Sequence, residues 1–442
     1  MAAGCLILGA AAARAQTPPP AERVSFDEAI RRAVERNPST AIAAAGILRA
    51  EGLLTEAQAN TRLQINGTVT TTTLNRGVEF QGATVTPQNQ VSGALDVRLP
   101  LFAPARWARR AQAQDAKNVA ELSAADARRQ TAFATADAYL TIIARRRVIE
   151  ANERARDTAR SHFDLARELE QRGTGSRLNQ LRAQQELSTD EGLVESARLA
   201  LYRAQEALGV LLVAGGRVDA TEEPTFSIPE GQESEPVPPG AADRQAAAPV
   251  PILAVSASDL ALLQRRTDVQ LFAAGQHAAE RVLRDTSKDY YPYLEGVFLP
   301  QTTYPAQFFV PANSWRFQLQ MSVPLFDSGQ RKGLRAERQA ALNIARATFL
   351  GAATQATAEI RAAREAVHSA DRGLVSARAA ADQAQQVVNI VNVSFRAGAA
   401  TNIEVIDAER RARDTDTAVA VAEDTLRRAR LELLTALGRF PQ

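Results

Sequence analysis

Residues 396–436 read RAGAATNIEVIDAERRARDTDTAVAVAEDTLRRARLELLTA, and residues 171–211 read QRGTGSRLNQLRAQQELSTDEGLVESARLALYRAQEALGVL. Each stretch opens on a glycine, Gly398 or Gly173, and the two glycines stand 225 positions apart. After the later glycine, Val405, Ala408, Ala412, Thr415, Val419, Ala422, Leu426, Ala429, Leu433 and Ala436 recur at alternating steps of three and four. The same register in the earlier stretch falls on Gln180, Ala183, Leu187, Asp190, Val194, Ala197, Leu201, Ala204, Leu208 and Leu211, and six of the ten pairs are identical. Such a pattern specifies helices packed as coiled coils, and the many seam alanines let their backbones approach closely. The chain is written twice.

The repeat extends outward from these seams. Pro100-Leu101-Phe102 returns as Pro324-Leu325-Phe326, 224 positions later. Each copy has a first helix (26–60, then 258–286), a polar β-prone region, Pro-Leu-Phe, a long helical stretch, the glycine turn and the seam helix. About seventy helical residues would extend roughly 100 Å at about 1.5 Å each, a shaft rather than part of an ordinary domain. The expected organisation is a signal peptide at 1–15, a first repeat at 16–212, a linker at 213–257 and a second repeat at 258–442. Within the repeats, strands are expected at about 62–101 and 290–325, and helical hairpins at 103–212 and 327–438. The linker, with Pro224, Pro229, Pro236, Pro238 and Pro239, is expected to be irregular.

Composition narrows the function. A net charge of +2 gives no field that argues for nucleic acid. Lysine occurs only at Lys117, Lys288 and Lys332, so arginine carries almost all the positive charge. The apolar run from Ala2 to Ala13 ends in Ala13-Arg14-Ala15, a small-x-small pattern that suits signal peptidase, and it is too short to span a bilayer. The only cysteine, Cys5, lies inside it, so cleavage leaves no thiol; lipidation of Cys5 is the rival expectation. No other segment is apolar enough for a transmembrane helix, which leaves a periplasmic, secreted or β-barrel protein.

The strands argue for the barrel. Val91, Gly93, Leu95, Val97 and Leu99 alternate with Ser92, Ala94, Asp96 and Arg98. Trp315, Phe317, Leu319, Met321 and Val323 alternate with Arg316, Gln318, Gln320 and Ser322. Apolar-out, polar-in alternation is what a lipid-facing strand around a wet lumen requires, although a soluble sandwich strand reads the same way. Leu63, Ile65, Gly67 and Val69 begin the partner strand of the first copy, and Leu294, Gly296 and Phe298 that of the second. Tyr304, Phe308 and Phe309 between strands, and Phe102, Trp107 and Phe326 at the other ends, fit interfacial aromatics. Four strands do not close a barrel, so chains must pool them. Two chains give eight strands and a filled interior, whereas three give twelve and a lumen.

Several motifs resemble the TolC family of outer-membrane efflux proteins. They are Val24-Ser25-Phe26-Asp27-Glu28-Ala29-Ile30-Arg31-Arg32-Ala33-Val34-Glu35-Arg36-Asn37-Pro38, Arg265-Arg266-Thr267-Asp268-Val269, and Pro324-Leu325-Phe326-Asp327-Ser328-Gly329. Thr267 stands where a proline is more usual, and Ala103-Pro104-Ala105 departs from the junction seen in the second copy. The resemblance implies an α+β membrane protein: a homotrimer with a twelve-stranded β-barrel in the Gram-negative outer membrane, continued by a periplasmic helical barrel. It implies a periplasmic adaptor and an inner-membrane pump as partners, with drugs, metals or proteins as cargo, and no cofactor.

No catalytic constellation is visible, so the expectation is a channel and not an enzyme. His162, His277 and His368 are isolated and read as solvated. Glu404 and Asp407, one helical turn apart, flank the seam residue Val405. By the resemblance they face the lumen and form stacked acidic rings in a trimer, which would favour cations; the plain alternative is a solvated helix face. Asn179 occupies the first-copy equivalent of Glu404, and Phe395 matches an aromatic that latches the tip. Glu409 and Asp414 are given no pore role. The turns Arg172-Gly173-Thr174 and Arg396-Ala397-Gly398 are the expected adaptor contacts; as plain sequence they are helix terminators. A different class of function stays open on these residues, a periplasmic or secreted coiled-coil scaffold without a pore.

Overall fold

The computed structural model describes residues 21–81, 83–226, 262–308 and 311–440. The signal peptide, Phe309 and most of the linker prolines lie outside them. Contacts divide the chain into two units, one of Met1–Asn37, Ala132–Ser227 and Val367–Arg430, the other of Pro38–Thr131, Ile228–Ala366 and Leu431–Gln442.

The first unit begins with β1 (Glu22–Val24) and α1 (Phe26–Arg36). The expected first helix breaks at Asn37, where α2 (Pro38–Ala59) starts anew. Pro38 cannot donate to the helical ladder and holds Asn37 extended, at φ −66° and ψ 134°. The Asn37 side chain instead donates to the Leu211 carbonyl at 3.1 Å. The linker is not irregular throughout either, because β6 (Val218–Ala220) pairs in parallel with β1. Tyr139 holds this small sheet. Its buried hydroxyl accepts from the Thr221 N–H (3.1 Å) and lies 3.3 Å from the Val24 carbonyl, while Phe26 packs edge-on against its ring. The opening motif is therefore a packing motif.

Two long hairpins dominate: α3 (Pro104–Gln171) with α4 (Arg177–Leu212), and α6 (Gln330–Arg396) with α7 (Asn402–Ala436). On α4, Ala183, Val194, Ala197, Ala204 and Leu208 of the seam are buried, as are Val405, Ala408, Leu426 and Ala429 on α7. Both hairpins close with the same turn. Gly173 and Gly398 take φ 75° and 77°, and the residue after each donates back to the carbonyl five before it, Thr174 to Leu169 and Ala399 to Ser394. Only glycine adopts that conformation without a Cβ penalty.

The second unit holds the sheet: β2 (Gln64–Thr73), β5 (Asn89–Phe102), β7 (Tyr293–Tyr304) and β8 (Asn313–Ser322), in that spatial order and antiparallel throughout. The loop between β2 and β5 carries its own hairpin, β3 (Val78–Phe80) with β4 (Ala83–Thr86). Pro100 has no N–H to give, and the β5–β7 ladder slips between Pro100 and Phe102. In the second copy the expected first helix is interrupted: 258–261 lie outside the described residues, Leu262 and Leu263 are helical, the chain turns at Gln264 and Arg265, and α5 (Thr267–Arg284) begins anew. Arg266 before it is extended and buried, bonded to Asp268 and Glu359. Thr267 occupies the first helical position, where a proline would be at home. Leu263, Val269 and Ala356 form a small core there with Phe349 against it.

Candidate functional site

The strand face comes first, because register settles which side chains share it. Phe298 stands opposite both Val97 and Phe317, Gly296 opposite Leu99 and Leu319, Pro300 opposite Trp315, and Leu294 opposite Met321. Val69 and Leu95 extend the same face toward β2. The alternation seen in single strands thus becomes one apolar surface across four strands, with Trp315, Phe317, Leu319 and Met321 exposed in the single chain. Val323 lies one residue past the end of β8. The reverse face carries Asn66 opposite Asp96, Gln64 opposite Arg98, and Gln318 opposite Val297. No described helix is long and apolar enough to cross a membrane. β2 and β8 are free edges of the sheet.

At the second tip, Glu404 and Asp407 are both exposed, and Val405 between them is 1% exposed. Glu404 already has work to do. Its Oε2 accepts from the Thr401 N–H at 2.8 Å, while the Glu404 N–H donates to the Thr401 hydroxyl at 3.4 Å. That reciprocal pair is a capping box, legible beforehand in Thr401-Asn402-Ile403-Glu404. Asp407 pairs with Arg411 one turn on, at 2.8 Å. The turn residues Arg172, Gly173, Thr174, Arg396, Ala397 and Gly398 are all exposed.

His162 corrects its expectation. It is buried, its Nε2 lies 2.6 Å from the Asn402 Oδ1, and its ring sits 5.6 Å from that of Phe395. Asn402 in turn donates to the Asn179 carbonyl at 3.3 Å. One buried amide thus ties the start of α7 to α3 and α4. Burial pushes the His162 pKa down, which favours the neutral ring. His277 and His368 are exposed.

Glu409, given no pore role, sits in a second cluster. Behind the tip, Glu186 and Asp190 of α4 are buried, and Arg413 reaches both, at 3.4 and 2.6 Å; Arg410 donates to Glu186 at 2.7 Å. Glu409 belongs to this cluster, and its Oε2 is buried without a hydrogen-bond partner. Burial, and then the charges of Glu186 and Asp190, push its pKa up to about 8. The one sequence signal was Asp190, the only charged residue on the seam.

Comparison with known proteins follows from this geometry. A family model described as outer membrane efflux protein matches residues 29–213 and 260–439. No curated protein sequence matches. Among solved structures, the outer membrane protein VceC of Vibrio cholerae is 18% identical with a TM-score of 0.77, covering 93% of this chain and 96% of its own. CusC is 15% identical with a TM-score of 0.78, covering 93% and 92%. The CmeC outer membrane channel of Campylobacter jejuni is 14% identical with a TM-score of 0.77, covering 93% and 85%. At these identities the likeness is one of fold.

Proposed function

The chain belongs to the outer membrane efflux protein family, and from that premise we propose that it works as a homotrimer whose pooled strands close one barrel. As a member of that family it is an efflux channel protein of the Gram-negative outer membrane, extending into the periplasm. The observation that carries the trimer is the sheet, with its edges at β2 and β8 and an apolar face running across it. Unpaired ladder groups are not tolerated in hydrocarbon, so β8 of one copy pairs with β2 of the next. Three copies give twelve strands and a lumen.

The helical hairpins then wall a periplasmic duct, passive in itself and driven by an inner-membrane pump through a periplasmic adaptor. The exposed turns Arg172-Gly173-Thr174 and Arg396-Ala397-Gly398 are where the adaptor docks; exposure on a rigid hairpin supports that role. Glu404 and Asp407 ring the lumen, their charge moderated by the helix cap and by Arg411. Asn179 and Phe395 support that ring through the buried Asn402 and His162. The test is extraction: the protein should leave outer-membrane fractions only with detergent, as a particle of three chains that conducts in planar bilayers. A monomer in the soluble periplasm would overturn the proposal.

A further inference from the structure

A groove of about 660 Å³ runs between α5 and the first turns of α6, lined by Glu280, Arg284, Ser287, Tyr290, Tyr291, Arg335 and Arg346 among others. Its charge is one-sided. Glu280 is the only carboxylate in the lining, and it is already engaged by Gln276 at 3.0 Å and Arg346 at 3.3 Å. The cations around the groove are neutralised within the fold: Arg331 by Asp327, Arg338 by Asp289, and Lys288 by Asp285. Among the described residues Arg284 and Arg335 pair with no acid, and both are exposed to the same groove. Two guanidiniums without a counter-charge favour an anion, and their planar forks suit a phosphate.

The position of the groove selects the source of that phosphate. Tyr290 and Tyr291 directly precede Pro292 and the first residue of β7. Arg331 stacks over the Tyr290 ring at 4.6 Å and donates to the Pro324 carbonyl at 3.3 Å. Pro324 leads into Leu325 and Phe326, which are 90% and 87% exposed. A protruding apolar pair, then tyrosines, then unpaired arginines is the order of a bilayer leaflet from hydrocarbon to phosphate. We propose that this groove binds the phosphate ester of a membrane phospholipid, held by Arg284 and Arg335, with the acyl chains along Leu325 and Phe326. The inference rests on the strands' spanning the membrane.

The experiment is native mass spectrometry of the detergent-extracted assembly, titrated with phosphatidylglycerol in one arm and glycerol 3-phosphate in the other. The wild type should retain phosphatidylglycerol, and the double variant Arg284→Gln, Arg335→Gln should bind it roughly tenfold more weakly. Arg361→Gln, an exposed arginine on α6 outside the groove, should bind like wild type. An intact assembly that holds the lipid equally well with and without the two arginines overturns the site. So does one that binds no lipid, or that takes glycerol 3-phosphate as tightly as the lipid. A soluble monomer would be a different failure, that of the membrane reading itself.

Discussion

Replacing Glu409 by glutamine should leave stability unchanged below about pH 4.5 and raise it progressively as pH climbs toward 8. Glu409 lies in a cluster with the buried Glu186 and Asp190 of α4 and with Arg413 of α7; Arg413 is bonded to both of those acids and the half-exposed Arg410 to Glu186. Its pKa rises from 4.5 to about 8. A carboxyl raised in the folded state stabilises fully below 4.5, and that contribution is lost as pH climbs through 8. At about 1.4 kcal/mol per pH unit between 4.5 and 7, the ceiling at pH 7 is about 3.5 kcal/mol. Because Arg410 and Arg413 share its helix and can turn toward a new charge, a gain of about 1–3 kcal/mol is the working figure for Glu409→Gln. The assay is denaturant unfolding of the detergent-extracted protein from about pH 4 to 9, followed by circular dichroism. The variant should match wild type near pH 4, separate from it steadily between about 4.5 and 8, and keep a constant gap above that. Parallel curves across the whole range would show that Glu409 carries no raised pKa and that the cluster has been misjudged.

Leu319→Arg places a charge on the apolar strand face and should cost roughly 2–4 kcal/mol near the bilayer midplane, whereas Gln318→Arg should be tolerated; equal yields of folded protein would show the assignment of the two faces to be wrong. For the acidic ring, Glu404→Gln with Asp407→Asn removes both charges while glutamine keeps the capping box, so assembly should persist and cation selectivity in single-channel recordings should fall. Unaltered selectivity would leave these acids as solvated groups. Gly173→Ala and Gly398→Ala should each cost about 1–2 kcal/mol from the left-handed backbone alone, since a Cβ meets nothing within 4 Å at either place. Gly175→Ala should cost more in the same unfolding assay, because its Cβ would come within 2.8 Å of that of Leu169; a smaller loss than at Gly173 would contradict the tip geometry.

The sequence by itself determined the elements and their repetition. Gly173 and Gly398, the alternating seams and the period-two strands are local signals, because backbone conformation and side-chain periodicity depend on neighbours a few positions away. It also held the Thr401–Glu404 capping box, four residues that sequence reading passed over in favour of a pore role. What it did not hold was the identity of partners. Periodicity says that a face is buried, but not against what. That β5 pairs with β7 across the two copies, that a strand from the linker lies beside β1, and that Asn402 bridges His162 and Asn179 depend on residues roughly 200 positions apart. The Glu409 cluster shows the cost most plainly. In sequence it is one acid among many on a charged helix; only packing against Glu186 and Asp190 makes it a group that keeps its proton at neutral pH. Desolvation and Coulomb interaction act through space, and a chain folded back on itself sets those distances after the local pattern has had its say.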